Sequence, residues 1–206
     1  DINAGNNSSI PTLLTAAANT LYFIAGDNTY GLELWKSDGT TDGTERISDN
    51  FFPEDSSIYN SIDIDGIYYF CTDEDVHGNE LWKSDGTEAG TVLVKDINLG
   101  TASSNVEYFA NFNGTLYFSA NDGINGKELW KTDGTESGTV MVKDIREGSG
   151  SSSIYDKVVA GDTLFFRAAD GINGSELWKS DGTEDGTVMV KDLVAGSSGS
   201  HPTDLT

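Results

Sequence analysis

The string ELWKSDGT occupies residues 33–40 and returns unchanged at 80–87 and 176–183, with ELWKTDGT at 128–135. Its glutamates, Glu33, Glu80, Glu128 and Glu176, recur every 47 or 48 residues. Such a period marks a chain built from stacked supersecondary units, none of which can bury its own apolar face alone. An enzyme site needs one set of unlike groups in one place, so a motif written four times serves architecture or multivalent binding. Other columns keep the same register: TLYFIAGD, IYYFCTDE, TLYFSAND and TLFFRAAD lie upstream, and TERIS, TVLVK, TVMVK and TVMVK lie downstream.

Each unit reads as four short strands. In residues 96–143 these are 106–112, 115–120, 128–132 and 139–143. Asn113-Gly114 between the first two suits a type I′ hairpin, whose two central residues need positive φ. The apolar runs LYF and VMV predict strands covered on both faces, and no segment sustains a 3.6-residue period. Tandem four-stranded antiparallel sheets of this length are the blades of a β-propeller. The expected fold is therefore all-β, a propeller of four units of about 48 residues (1–48, 49–95, 96–143 and 144–191). Residues 192–206 align without gaps to residues 1–15 and open a fifth unit. Trp35, Trp82, Trp130 and Trp178 share one column. They are read as packing residues between blades, with an exposed ligand-binding platform as the alternative. Asp38, Asp85, Asp133 and Asp181 each precede a glycine and are read as structural turn residues that accept local N–H bonds.

Twelve basic residues face 34 acidic ones, a net charge of −22. That balance argues against nucleic acid or an anionic membrane as partner. The single cysteine, Cys71, cannot form an internal disulfide and reads as a small core residue. No apolar run approaches the roughly 18 residues of a membrane span. The chain opens at Asp1 inside a repeat with no visible leader, which reads as a mature protein or an excised piece.

With these residues in hand, ELWKSDGTEAGTVLVKDI (80–97) and ELWKTDGTESGTVMVKDI (128–145) resemble the ELWxxDGT repeat family of bacterial tandem arrays. The likeness spans essentially the whole chain. It implies a propeller-like architecture and a secreted or cell-surface setting, and it brings no established enzymatic activity. The first unit departs from the pattern, with Glu45-Arg46 where later units carry Val-Leu or Val-Met, so its last strand is expected to be more exposed or to lie at a special blade.

Two acidic columns precede or form part of the motif. DGINGKE and DGINGSE place Asp122, Asn125 and Glu128, and Asp170, Asn173 and Glu176, around glycine turns. Calcium wants about 6–8 oxygen ligands on a tight loop, so these six residues are the candidate metal ligands and Ca²⁺ the one cofactor considered, against a plain β-turn. No phosphate loop, zinc spacing or nucleophile elbow is present. The three arginines, Arg46, Arg146 and Arg167, occupy three different repeat positions, which argues against an arginine cluster of the sialidase kind. The expected function is a non-catalytic extracellular module for structure or adhesion. It would act through homo-oligomeric or head-to-tail contact, or through surface glycans or proteins. The alternative is a multivalent lectin, calcium-dependent if the loops bind.

Overall fold

The computed structural model describes residues 1–17, 19–47 and 58–206. The expected connector 49–57 and the first unit boundary at 48/49 lie outside them. Four antiparallel sheets follow one another along the chain. The first holds β1 (Thr12–Ala17), β2 (Thr20–Asp27), β3 (Gly31–Ser37) and β4 (Glu45–Arg46). The second holds β5 (Ile58–Ile64), β6 (Ile67–Glu74), β7 (Gly78–Ser84) and β8 (Val92–Lys95). The third holds β9 (Glu107–Phe112), β10 (Thr115–Asn121), β11 (Lys127–Thr132) and β12 (Val140–Lys143). The fourth holds β13 (Tyr155–Ala160), β14 (Thr163–Ala169), β15 (Ser175–Ser180) and β16 (Val188–Lys191). There is no helix among the described residues, and every sheet is a simple meander.

The local chemistry explains the meander. Asn113 and Gly114 both adopt positive φ, as do Asp65 and Gly66, which is the type I′ geometry that matches strand twist. A Phe–Trp cross-strand pair recurs in every sheet: Phe23 with Trp35, Phe70 with Trp82, Phe118 with Trp130, Phe166 with Trp178. In each third strand the side chains alternate. The Glu, Trp and Ser/Thr of the motif point one way, and the Leu and Lys between them point the other. The first unit's last strand is the short one, two residues long.

The sheets stack face to face in chain order through three apolar layers. Ala17, Tyr22, Ile24 and Leu34 of the first meet Tyr68 and Phe70 of the second, with Trp82 packed alongside. Tyr69, Cys71, Leu81 and Val94 of the second meet Leu116, Phe118 and Trp130 of the third. Tyr117, Leu129 and Val142 of the third meet Leu164, Phe166 and Trp178 of the fourth. Thus each Leu faces the following sheet and each Trp the preceding one. The first strands also lie against each other, β1 on β5, β5 on β9 and β9 on β13, and among the described residues β13 makes no comparable contact with β1. Cys71 is a sealed core residue; its thiol donates to the Val106 carbonyl, and burial pushes its pKa up to about 11.

The two ends of the stack are consequently open. Val94 and Val142 are 4% and 6% exposed, yet Val190 in the same column is 44% exposed. Ile97 and Ile145 are each 5% exposed, and Leu193 in their column 60%. Residues 192–206 nevertheless follow the path of a unit's opening. His201 and Asp204 take the positive φ of Ser153 and Asp156, 48 residues earlier.

The DGT glycine shows how local and inter-sheet demands coincide. Gly39 and Gly134 share a column and have φ of +90° and +87°. A Cβ on Gly134 would stand 2.5 Å from the Tyr69 hydroxyl of the preceding sheet, whereas one on Gly39 would meet nothing within 4 Å. Gly39→Ala is therefore expected to cost only the backbone strain, about 1–2 kcal/mol. Gly134→Ala should cost about 1–3 kcal/mol more through the displaced tyrosine. Urea unfolding of both variants checks this; equal losses would show that the joint yields freely.

Candidate functional site

The residues that the motif repeats converge on the joints between sheets. The motif glutamate leaves the third strand fully buried, and at Glu80, Glu128 and Glu176 it meets the connector that follows its unit. Glu80 accepts the Ile97 N–H at 3.1 Å, the Asn98 N–H at 3.0 Å and the Ser104 hydroxyl at 2.7 Å. Glu128 accepts the Ile145 N–H at 2.9 Å. Glu176 accepts the Ser200 N–H at 2.7 Å and is held by the Ser200 hydroxyl and the Leu193 N–H, so residues 192–206 are clamped like the earlier connectors. Burial pushes Glu80 and Glu128 up to about 7 despite these bonds. At Glu176 burial acts in the same direction, but only one sheet surrounds it. The Ser200 hydroxyl and the backbone N–H groups prevail and hold its pKa below the usual range.

A second joint runs from the lysine of ELWK to the glycine of the next DGT. Lys36 donates to the Gly86 carbonyl at 2.7 Å, Lys83 to Gly134 at 2.8 Å and Lys131 to Gly182 at 2.8 Å. The lysine after the fourth-strand valine repeats the device, Lys95 to the Thr139 carbonyl at 2.9 Å and Lys143 to Thr187 at 3.0 Å. Lys179 and Lys191, on the open face of the fourth sheet, are exposed and reach no acceptor among the described residues.

The remaining motif positions close the turn itself. Asp85 accepts the Thr87 N–H at 2.9 Å and the Thr87 hydroxyl at 2.6 Å, and Ser84 shares a bond with Thr91 at 2.8 Å. Asp38, Asp133 and Asp181 repeat the aspartate bonds. In all four the threonine hydroxyl and N–H hold the carboxyl below its usual range. A Cβ on Gly90 would stand 2.0 Å from the Asp85 carboxylate, which explains the second glycine of DGTxxGT.

The tryptophan column divides. Trp130 and Trp178 are buried in inter-sheet layers, Trp82 packs against one, and Trp35 stands half-buried on the open face of the first sheet. There it borders a cavity of ≈420 Å³ with Asp1, Ile2, Thr40 and Thr44. The candidate calcium ligands divide too. Asp122 takes the Ile124 N–H, the Asn125 N–H and the Asn125 side-chain amide, at 2.9, 2.8 and 2.7 Å. Asp170 and Asn173 do the same. Glu128 and Glu176 belong instead to the joints. No group of three His, Cys, Asp or Glu side chains gathers around one point among the described residues.

The lysine joints are the functional contacts that sequence reasoning missed. Their signal was present, because in a chain with twelve basic residues more than half fall into two repeat columns. A basic residue repeated at fixed register in an acidic chain points to a recurring contact, which Lys36, Lys83, Lys95, Lys131 and Lys143 make.

No protein-family model and no curated protein matches the sequence. Among solved structures, the fold is similar to part of a puromycin hydrolase, with a TM-score of 0.57 and 16% identity over 96% of this chain. One of two prolyl endopeptidases gives a TM-score of 0.55 and 12% identity over 91% of this chain. A Mycobacterium tuberculosis puromycin-hydrolyzing peptidase gives 0.52 and 11% over 92%. The chain spans 30% of the length of each, and at these identities the likeness is one of fold.

The buried glutamates set a pH dependence. Their folded value of about 7 exceeds the unfolded value of 4.5, so between the two the folded chain holds protons that the unfolded chain has released. Stability is thus greatest toward pH 5 and falls as pH rises through 7. The DGT aspartates act oppositely, their contribution being lost only as pH falls below about 4. Thermal unfolding should show a midpoint that drops from pH 5 to pH 8. The double variant Glu80→Gln/Glu128→Gln, which mimics the protonated pair, should flatten that slope. An unchanged slope would assign it to general charge repulsion.

Proposed function

We propose that the chain is a non-catalytic structural module of ELWxxDGT repeats in a β-propeller-type array, acting outside the cell in assembly or surface attachment. The observation that carries this reading is the commitment of the motif. Glu, Leu, Trp, Lys, Ser/Thr, Asp, Gly and Thr of ELWKSDGT each serve a turn or a joint to the neighbouring unit. Repetition then selects for stacking, since the lysine-to-carbonyl bond recurs at all three joints and the glutamate-to-connector bond at Glu80, Glu128 and Glu176.

The open ends extend the same logic. The fourth sheet presents Leu177, Val190, Leu193, Lys179 and Lys191, the face that buries a following unit elsewhere in the chain. The first sheet presents Trp35, Gly39 and Thr44, the columns that receive those groups at the three internal joints. A second copy of this chain, set head to tail, completes both faces. Residues 1–15 and 192–206 then compete for one path, and one of them yields it. Such a contact is heterologous and closes into a ring or continues as a filament.

Light scattering over a range of concentrations tests the proposal. Species larger than the 22.0 kDa chain are expected, and they should be lost in Val190→Asp/Leu193→Asp, whose charges would be buried at the new joint. A single 22.0 kDa species at every concentration would sink self-assembly as the role. Repeating the series in Ca²⁺ and in chelator shows whether the metal belongs to the contact.

A further inference from the structure

Two of the three arginines and one of the two histidines line a single cavity of ≈420 Å³ on the fourth unit: Arg146, Arg167 and His201, with Tyr155, Ser153 and Ser175. Among the described residues, no Asp or Glu side chain lines it. In a chain where acids outnumber bases almost three to one, two arginines and a histidine around one cavity run against the composition, and two carboxylates, Glu147 and Asp170, border the adjoining cavity that Arg146 also lines. The arginines stand at different repeat positions in sequence, and the fold brings these two together.

The same place in the other units shows what has changed. In the second unit it is a smaller pocket of ≈250 Å³ lined by Tyr59, Asp73, Asn79, Asn105 and Glu107. There Tyr59 donates to Asp73 at 2.7 Å. In the third unit the corresponding Glu107 and Lys127 satisfy each other at 2.8 Å. Forty-eight residues further on, the Glu107 column holds Tyr155 and the Lys127 column Ser175. Ala169 replaces the Asp73 column, His201 replaces Asn105, and Arg167 replaces the small Cys71 and Ser119. The internal acid has gone and cations have come in. The pocket of the second unit persists with the third unit packed over it, so a following repeat narrows this place without filling it.

Arg167 is held ready for an external anion. Its guanidinium carbon stands 4.6 Å from the Tyr155 ring centroid, and its Nε is buried with no hydrogen-bond partner. Tyr155 is itself fixed edge-on by Tyr108, with ring centroids 5.0 Å apart. Arg146 is steadied by one bond to the Ser151 carbonyl at 3.3 Å.

We propose that this cavity binds an acidic sugar, with the carboxylate of a uronate residue on the arginines. Arginine is suited to planar carboxylates. The serine hydroxyls and the tyrosine offer hydroxyl partners and a ring face to the rest of the sugar, where a bare anion would use neither. This binding goes beyond the stacking role and does not depend on it, since the fourth unit alone supplies the groups that grip the ligand.

Calorimetric titration of the full chain with glucuronate, glucose, acetate and sulfate, at one low ionic strength, tests the proposal. Saturable glucuronate binding is expected, at least tenfold tighter than glucose, acetate or sulfate. Arg167→Ser and Arg146→Asn restore the residues that sister units carry at those positions, Ser119 and Asn98, so they suit the fold. Each should weaken glucuronate at least tenfold while the thermal midpoint stays that of the parent chain. Sulfate or acetate binding as tightly as glucuronate would reduce the cavity to a general anion site and overturn the sugar assignment. No glucuronate binding, or binding indifferent to both variants, would overturn the site itself.

Discussion

The structure depends on a buried glutamate at each joint. Glu80 and Glu128 each leave the third strand of one sheet and bind the backbone of the connector that begins the next. A sheet with two apolar faces is insoluble alone and must be covered on both. Coverage by the next unit works only if the chain is returned to the right place and register. The glutamate does this by fixing the connector at the exit of one sheet and the entrance of the following one. The cost is burial of a carboxyl, which shows as its raised pKa. Backbone N–H groups and a serine hydroxyl offset that cost in part.

Around this clamp the other joints are cheaper and more numerous. Each lysine spans two sheets by donating to a carbonyl, a partner that every residue type supplies and that does not depend on side-chain identity. The negative turn aspartates lie near these lysines: after the threonine bonds that chiefly lower them, Asp85, Asp133 and Asp181 are lowered a little further by Lys36, Lys83 and Lys131 respectively. The scarce positive charge of an acidic chain is thereby spent at the interfaces, where self-repulsion between like-charged units would otherwise oppose stacking. The fourth unit diverges from this economy. Its two arginines face one cavity, where the third unit carries Ser119 and Asn98 in the arginine columns and an ion pair, Glu107 with Lys127, in the columns of Tyr155 and Ser175. The fourth unit thus keeps its joints to the third, through Gly182, Thr187 and Trp178, while the groups around this cavity differ from those of its sister units.

Much of this was legible in the residues. The period, the four strands per unit, the Asn113-Gly114 hairpin, the buried Cys71 and the weak last strand at Glu45-Arg46 follow from spacing, turn chemistry and alternation, all of which are local. The tryptophan column was open to two readings, packing or a ligand platform; Trp82, Trp130 and Trp178 meet a neighbouring sheet, as an aromatic repeated at a strand centre can. The glutamate column was harder. Placed six residues after an acid and around a glycine turn, Glu128 and Glu176 read as ligands of the same loop as Asp122 and Asp170. Strand alternation turns them away from that loop and toward the connector seventeen residues on.

The sequence by itself determined the repeat, the strand order within each sheet and the turns, because these rest on backbone preferences and on side chains a few residues apart. Tertiary structure alone decided which columns meet. Lys83 finds Gly134 fifty-one residues away, and Arg146 and Arg167 reach one cavity from a connector and a strand. Such meetings depend on how one sheet is rotated and set against the next. That is fixed by the summed packing of the apolar layers, and no short stretch of sequence records it.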